Sequence, residues 1–116
     1  MSASSSAQVS LLISNVPSSH AQFIAKNLIE SRVAACVTLS PVQSVYRWDN
    51  QICIDEEVTL TAKVSQSSLE QCMTRIKDLH PYDLPEVLCL PIDEQYSYPP
   101  YLAWVQEECM SKNSLK

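Results

Sequence analysis

Two histidines and five cysteines bound the metal chemistry open to this chain. His80 stands in the stretch HPYDLPE, at the C-terminal end of a helix. It is the best candidate metal ligand, with Glu86 or a cysteine joining it in space. One imidazole with carboxylates makes only a modest site for a divalent cation. The alternative is a helix-terminal histidine that balances the helix dipole. His20 falls in the first turn of another helix and is expected to be exposed. Two histidines cannot build a three-histidine zinc site, and nothing matches HExxH. Cys36, Cys53, Cys72, Cys89 and Cys109 are odd in number, form no CxxC, and fall on different elements. That argues against a disulfide framework and against a structural zinc cluster. Most are expected to act as small buried hydrophobes.

Other chemistries leave fewer traces. There is no GxSxG, no P-loop, and no glycine anywhere in the chain. Backbone therefore lacks its usual means of approaching a phosphate. A nucleophile needs a base held beside it, and no such pair can be read, so the protein is not expected to be an enzyme. Lys63 and Glu57 lie on the polar face of a strand. In the register derived below, Lys63 faces Cys36, where an ammonium would favour the thiolate, and Glu57 faces Val42. The alternative is that both charges are solvated or paired at the surface.

These residues depend on one long element. The stretch from Ala34 to Ser65 reads as two strands folded back at Asp49-Asn50. On the second strand Ile52, Ile54, Val58, Leu60, Ala62 and Val64 alternate with polar residues, and only Glu56 interrupts them. With Asp49 and Asn50 as a type I′ turn, paired positions sum to 99. Val37 then faces Ala62, Leu39 faces Leu60, and Val45 faces Ile54. A slip of one residue would set apolar against polar throughout. Asp and Asn tolerate positive φ best after glycine. Fifteen residues at ~3.3 Å span about 50 Å, against a diameter of about 35 Å for a compact domain of this size. The hairpin must bend, with Pro41 marking an edge or a bulge, or project a tip bearing Tyr46 and Trp48. A projecting aromatic tip would serve as an anchor in an oligomer.

The flanking segments complete a pattern. Val9 to Ser14 is a strand ended by Pro17. A helix follows from about His20 to Arg32, opened by a Ser19–Gln22 capping box, with Ala21, Ile24, Ala25 and Leu28 on one stripe. After the hairpin, a Ser67–Glu70 capping box opens a helix with Leu69, Cys72, Met73, Ile76 and Leu79 on its stripe. Glu86 to Leu90, between Pro85 and Pro91, suits an edge strand. A last helix begins around Ser97 to Pro100 and buries Tyr101, Leu102, Val105 and Cys109. The order β-α-β-β-α-β-α predicts an α+β, ferredoxin-like split βαβ sandwich in residues 9–110. Residues 1–8 read as a disordered tail and 111–116 as a polar one. One sheet face is left bare, although the first and last strands are apolar on both sides. The third helix and neighbouring subunits are expected to cover it.

Composition narrows the partners. The net charge is −5, and the basic residues form no run, which argues against nucleic acid. No stretch approaches a membrane span, and the start lacks the features of a secretory signal. The expected location is the cytoplasm.

Taken together, SRVAACVTL, SVYRW with its turn, DEEV, AK, HPYDLPE, LPI and a final Tyr-Leu-x-Trp resemble the CutA family of divalent-cation tolerance proteins. The match runs from about Val9 to Val105. The resemblance implies a ferredoxin-like subunit in a homotrimer, similar to PII-like signalling proteins, with no established enzymatic activity. It implies possible binding of copper or another divalent cation, with no cofactor needed for folding. Copper binding in the family is ascribed to a cysteine ending the first strand and to a histidine pair before the HPY proline. Here those positions are Ser14 and Leu79-His80, so only His80 matches. A second reading implied by the family pattern is a binding module. In it Lys63, Tyr82 and Glu57 would border an inter-subunit cleft for a small anionic ligand. A third is an enzyme in the same cleft, with Lys63 or a cysteine activated, and a fourth is a structural trimer that serves protein–protein contact.

Overall fold

The computed structural model describes residues 8–109; the two expected tails otherwise lie outside the described residues. The elements are β1 (Val9–Val16), α1 (Ser18–Glu30), β2 (Cys36–Trp48), β3 (Gln51–Ser65), α2 (Leu69–Leu79), β4 (Leu88–Pro91) and α3 (Pro99–Glu108). Four antiparallel strands lie in the order β2-β3-β1-β4. This is the ferredoxin-like arrangement expected from the sequence.

Every β2–β3 pair sums to 99, from Cys36 opposite Lys63 to Trp48 opposite Gln51. Asp49 and Asn50 both take positive φ, 54° and 64°, as a type I′ turn demands. Pro41 sits in register opposite Val58. No bulge forms there, because β2 is an edge strand and its outer N–H positions need no partner. Pro91 likewise lies on an edge strand, β4.

Two cores share the sheet. On one face Leu12, Val16, Leu60, Ala62 and Val64 meet Ala21, Ile24 and Leu28 of α1 and Cys72 and Ile76 of α2. On the other, α3 brings Val105 and Cys109 onto Val9. The third helix thus covers part of the second face. Leu88 and Leu90 of β4 stay exposed on that face. The hairpin runs out past both cores, so that Val45, Ile52 and Ile54 are all more than 60% exposed. The long axis of the described residues is 46 Å against 33 and 21 Å for the others.

Local expectations needed correction at the element ends. Neither capping box forms. α1 begins directly after Pro17, so Ser19 lies inside its first turn and its hydroxyl pairs with His20 Nδ1 at 2.9 Å. His20 is half-buried rather than exposed. α2 is entered through a 3₁₀ turn, Gln66–Ser68, and the Ser67 hydroxyl bonds Ser65 at 3.0 Å. β4 lies two residues later in its start than expected and includes Pro91. With no glycine to end α1, Arg32 takes φ 62°. The N–H of Val33 reaches the Leu28 carbonyl at 3.1 Å and that of Arg32 reaches Ile29 at 3.0 Å, which is a Schellman closure.

Candidate functional site

The end of α2 delivers His80 to the backbone of β1. His80 is buried, with Nε2 2.8 Å from the Asn15 carbonyl and Nδ1 3.3 Å from the backbone N of Tyr82. A carbonyl only accepts and an N–H only donates, so Nε2 carries the proton and Nδ1 accepts. Both nitrogens are engaged. Metal ligation needs a free nitrogen lone pair, and neither nitrogen offers one. Among the described residues no group of three or more His, Cys, Asp or Glu side chains could hold a metal ion. Ser14 is fully enclosed on the helix-facing side of β1. The residues present do not fit a metal centre built on His80, Glu86 and the end of β1.

The His80 contacts place the next turn. Tyr82 stacks at a tilt on the His80 ring, with centroids 4.6 Å apart. Its hydroxyl donates to Glu57 Oε2 at 2.7 Å. Glu57 sits on the sheet face away from α1 and α2 yet is only 8% exposed, because the 81–86 segment folds over it. The expectation of a solvated Glu57 is therefore corrected. Burial, and then the bond to Glu57, raise the Tyr82 phenol well above the usual tyrosine range. Along the hairpin, the Tyr46 hydroxyl donates to Asp55, and this bond, followed by desolvation, pushes Tyr46 up to about 12. The Asn15 side chain accepts from Thr59 Oγ1 at 2.6 Å.

Asn15, Tyr46, Asp55, Glu57 and Tyr82 line one open cleft of about 800 Å³ between the hairpin and the 81–86 segment. Its walls include Tyr46, Trp48 and Tyr82, and its ionisable carboxylates are Asp55, Glu57, Asp83 and Glu86. No Lys, Arg or His is among the lining residues. Lys63 is not part of it. Its Nζ lies 3.9 Å from Cys36 Sγ, its register partner, and 5.7 Å from the centre of the Tyr101 ring on α3. Six residues of strand, about 20 Å, separate it from Glu57. The structure thus brings Tyr82, Glu57 and Glu86 to one cleft and leaves His80 behind it and Lys63 outside.

Asn15, Tyr46, Asp55 and Asp83 were not anticipated as cleft residues. The signal for two of them was present: the sum of 99 puts Tyr46 opposite Cys53 and one step from Asp55 on the same face. Asn15 carried no signal, because its place depends on β1 pairing with β3.

Comparison with known proteins agrees with this architecture. The profile of the family described as CutA1 divalent ion tolerance protein matches residues 10–108. The divalent-cation tolerance protein CutA of Thermus thermophilus is 39% identical over 99 residues, covering 84% of this chain and 94% of that protein. Protein CutA of Mus musculus is 42% identical over 89 residues, and the match spans only 49% of its length. Among solved structures, the PII-like protein CutA from Nostoc superposes with a TM-score of 0.85 at 38% identity, covering 88% of this chain and 98% of that one. The protein described as periplasmic divalent cation tolerance protein CutA from Archaeoglobus fulgidus superposes at 0.83 with 26% identity, covering 88% and 99%. By sequence and by fold, this chain belongs to the CutA1 divalent ion tolerance family.

Proposed function

We propose that the protein acts in the response to divalent cations as a homotrimeric, non-catalytic binding module, with its ligand site in the cleft beneath the hairpin. The observation that carries this reading is the Tyr82–Glu57 bond at the floor of that cleft. It holds a buried carboxylate in place and positions no nucleophile beside a base. The PII-like relative supports a binding role, and the family description supports the link to divalent cations. The exposed apolar residues of β4 and of the hairpin tip support assembly with further copies. Free cysteines at all five positions favour a reducing compartment, in keeping with the cytoplasm. Among the described residues no helix is long and apolar enough to cross a membrane.

Copper, if it acts on this protein, does so without His80 as a resident ligand in this reading. Calorimetric titration of Cu²⁺ into the wild type and His80→Ala, on samples of known mass, tests it. The expected result is a species of three times the 13.0 kDa chain mass and equal Cu²⁺ affinity for both proteins. A monomer at micromolar concentration would sink the trimer. Loss of Cu²⁺ binding in a folded His80→Ala would restore that ring as the metal ligand. The anionic-ligand reading gains no support from the cleft of one subunit, since Lys63 lies outside it.

A further inference from the structure

We propose that Cys36 and Lys63 are a peroxide-sensitive pair, which oxidation closes into a covalent sulfur–nitrogen link, a sulfenamide, between β2 and β3. This goes beyond the binding reading and does not rest on it.

The two residues are cross-strand partners at the open end of the hairpin. Both are half-buried, and Lys63 Nζ lies 3.9 Å from Cys36 Sγ. The ladder fixes them there. The Ala35 N–H donates to the Lys63 carbonyl at 2.9 Å, and Val37 pairs with Ala62 on the next rung. Ala62 and Val64 point into the helix-side core, so Lys63 between them points to the opposite face. There its ammonium stands 5.7 Å from the centre of the Tyr101 ring, and an aromatic face attracts such a cation. Sulfur and nitrogen are thus held together from two sides, by the sheet and by α3. Both belong to one chain and one ladder, so their separation is set within the subunit, whatever packs on that face.

The neighbours of the sulfur decide its oxidation product. All five thiols are free. A sulfenic acid condenses with a second thiol or with a nitrogen. Cys72 and Cys109 are fully enclosed in the two cores, Cys53 lies near the hairpin tip opposite Tyr46, and Cys89 is on the far edge strand. The group in contact with Cys36 is an amine. The oxidant required is hydrogen peroxide, a molecule little larger than water. The Cys36 thiolate, the reactive form of a cysteine, attacks one peroxide oxygen, and the O–O bond breaks. Sulfur is oxidised by two electrons to S–OH, and the departing oxygen takes a proton from the Lys63 ammonium and leaves as water. Lys63 is now a neutral amine. Its lone pair attacks sulfur, the S–N bond forms, and the S–O bond breaks. The hydroxide leaves with a proton from the same nitrogen, as a second water. One thiolate, one ammonium and one peroxide become one sulfenamide and two waters. The joined residues are 27 positions apart, so the link closes a loop that holds the whole hairpin and restrains the unfolded chain as a disulfide would.

Peptide mass spectrometry of the full chain, treated with hydrogen peroxide in its native assembly and then alkylated, tests the proposal. The expected product joins the Cys36 and Lys63 peptides at a mass lower by two hydrogens, is absent before treatment, and is released by dithiothreitol. The urea midpoint should rise on treatment and return on reduction. Lys63→Arg keeps the cation but has no amine to attack sulfur. Treated with peroxide and dimedone, which captures sulfenic acids, it should carry the adduct at Cys36 and form no link. Cys36→Ser serves if Lys63→Arg does not fold, and should show neither the link nor the rise in midpoint. Three results in the wild type would each overturn the proposal: Cys36 left unmodified, Cys36 carried on to sulfinic acid with no link, or Lys63 joined to a different cysteine.

Discussion

Ser14 shows how much one residue can hide. Its hydroxyl is fully buried beside Leu60 and has no hydrogen-bond partner among the described residues. An orphaned buried hydroxyl costs roughly 1–3 kcal/mol. Ser14→Ala should therefore raise stability by about 1 kcal/mol, read as a higher urea midpoint at unchanged slope. From sequence this position was a strand end. It is interior because β1 runs on to Val16 and both helices pack there. His80 was singled out as a candidate metal ligand, but its partners are backbone atoms, and backbone partners leave no trace in residue types. The two raised tyrosines carry a pH dependence. An acid whose folded pKa is raised keeps its proton after the unfolded chain has released it at ~10. Stability from Tyr82 and Tyr46 is complete below that pH and is lost as pH climbs toward the folded values. Cys72, pushed up to about 12 by burial, adds to the same decline from ~9 upward. Urea midpoints measured from pH 9 to 12 should fall, and less steeply in Tyr82→Phe than in the wild type.

At the scale of elements, the hairpin was the most legible part of the chain and the caps the least. A period of two repeated over more than a dozen positions leaves one self-consistent register, and the structure has that register. A capping box is only a four-residue pattern, and competing local contacts displaced both. Ser19 was taken into the helix, and Ser67 into the 3₁₀ turn. β4 was displaced because its limits are set by pairing to β1 at Ser10–Ile13, which no local pattern encodes. The turn itself is testable. Asn50 at φ 64° lies where a β-branched side chain clashes with its own backbone. Asn50→Val should lower stability by about 1–2 kcal/mol. Asn50→Gly should keep or raise it, both read by thermal unfolding.

For the molecule as a whole, the alternating pattern continues past the region its own helices can cover. That is why the sequence pointed to assembly, while the cleft was named only through the family resemblance, with Tyr82, Glu57 and Lys63 at its border. The cleft needs the 81–86 segment laid over β3, a contact between residues some 25 positions apart in Tyr82 and Glu57. Val45, Ile52 and Ile54 lend the isolated chain little stability, since they are exposed in it. Ile54→Ser should leave the circular dichroism of the subunit unchanged and shift the species seen by sedimentation toward monomer. A variant that stays trimeric would move the assembly contact to β4 and α3.

The three left-handed positions, Arg32, Asp49 and Asn50, have a consequence beyond the turns they close. A chain of 116 residues at ordinary usage, near 7%, would hold roughly eight glycines; this one holds none. Every residue of the unfolded chain therefore carries a Cβ and samples fewer conformations. Each position where glycine is replaced without native strain adds about 0.4–1 kcal/mol through that restriction. Three strained positions, at roughly 1–2 kcal/mol each, give part of it back. Heat must drive this protein into an unfolded ensemble that is itself unusually narrow.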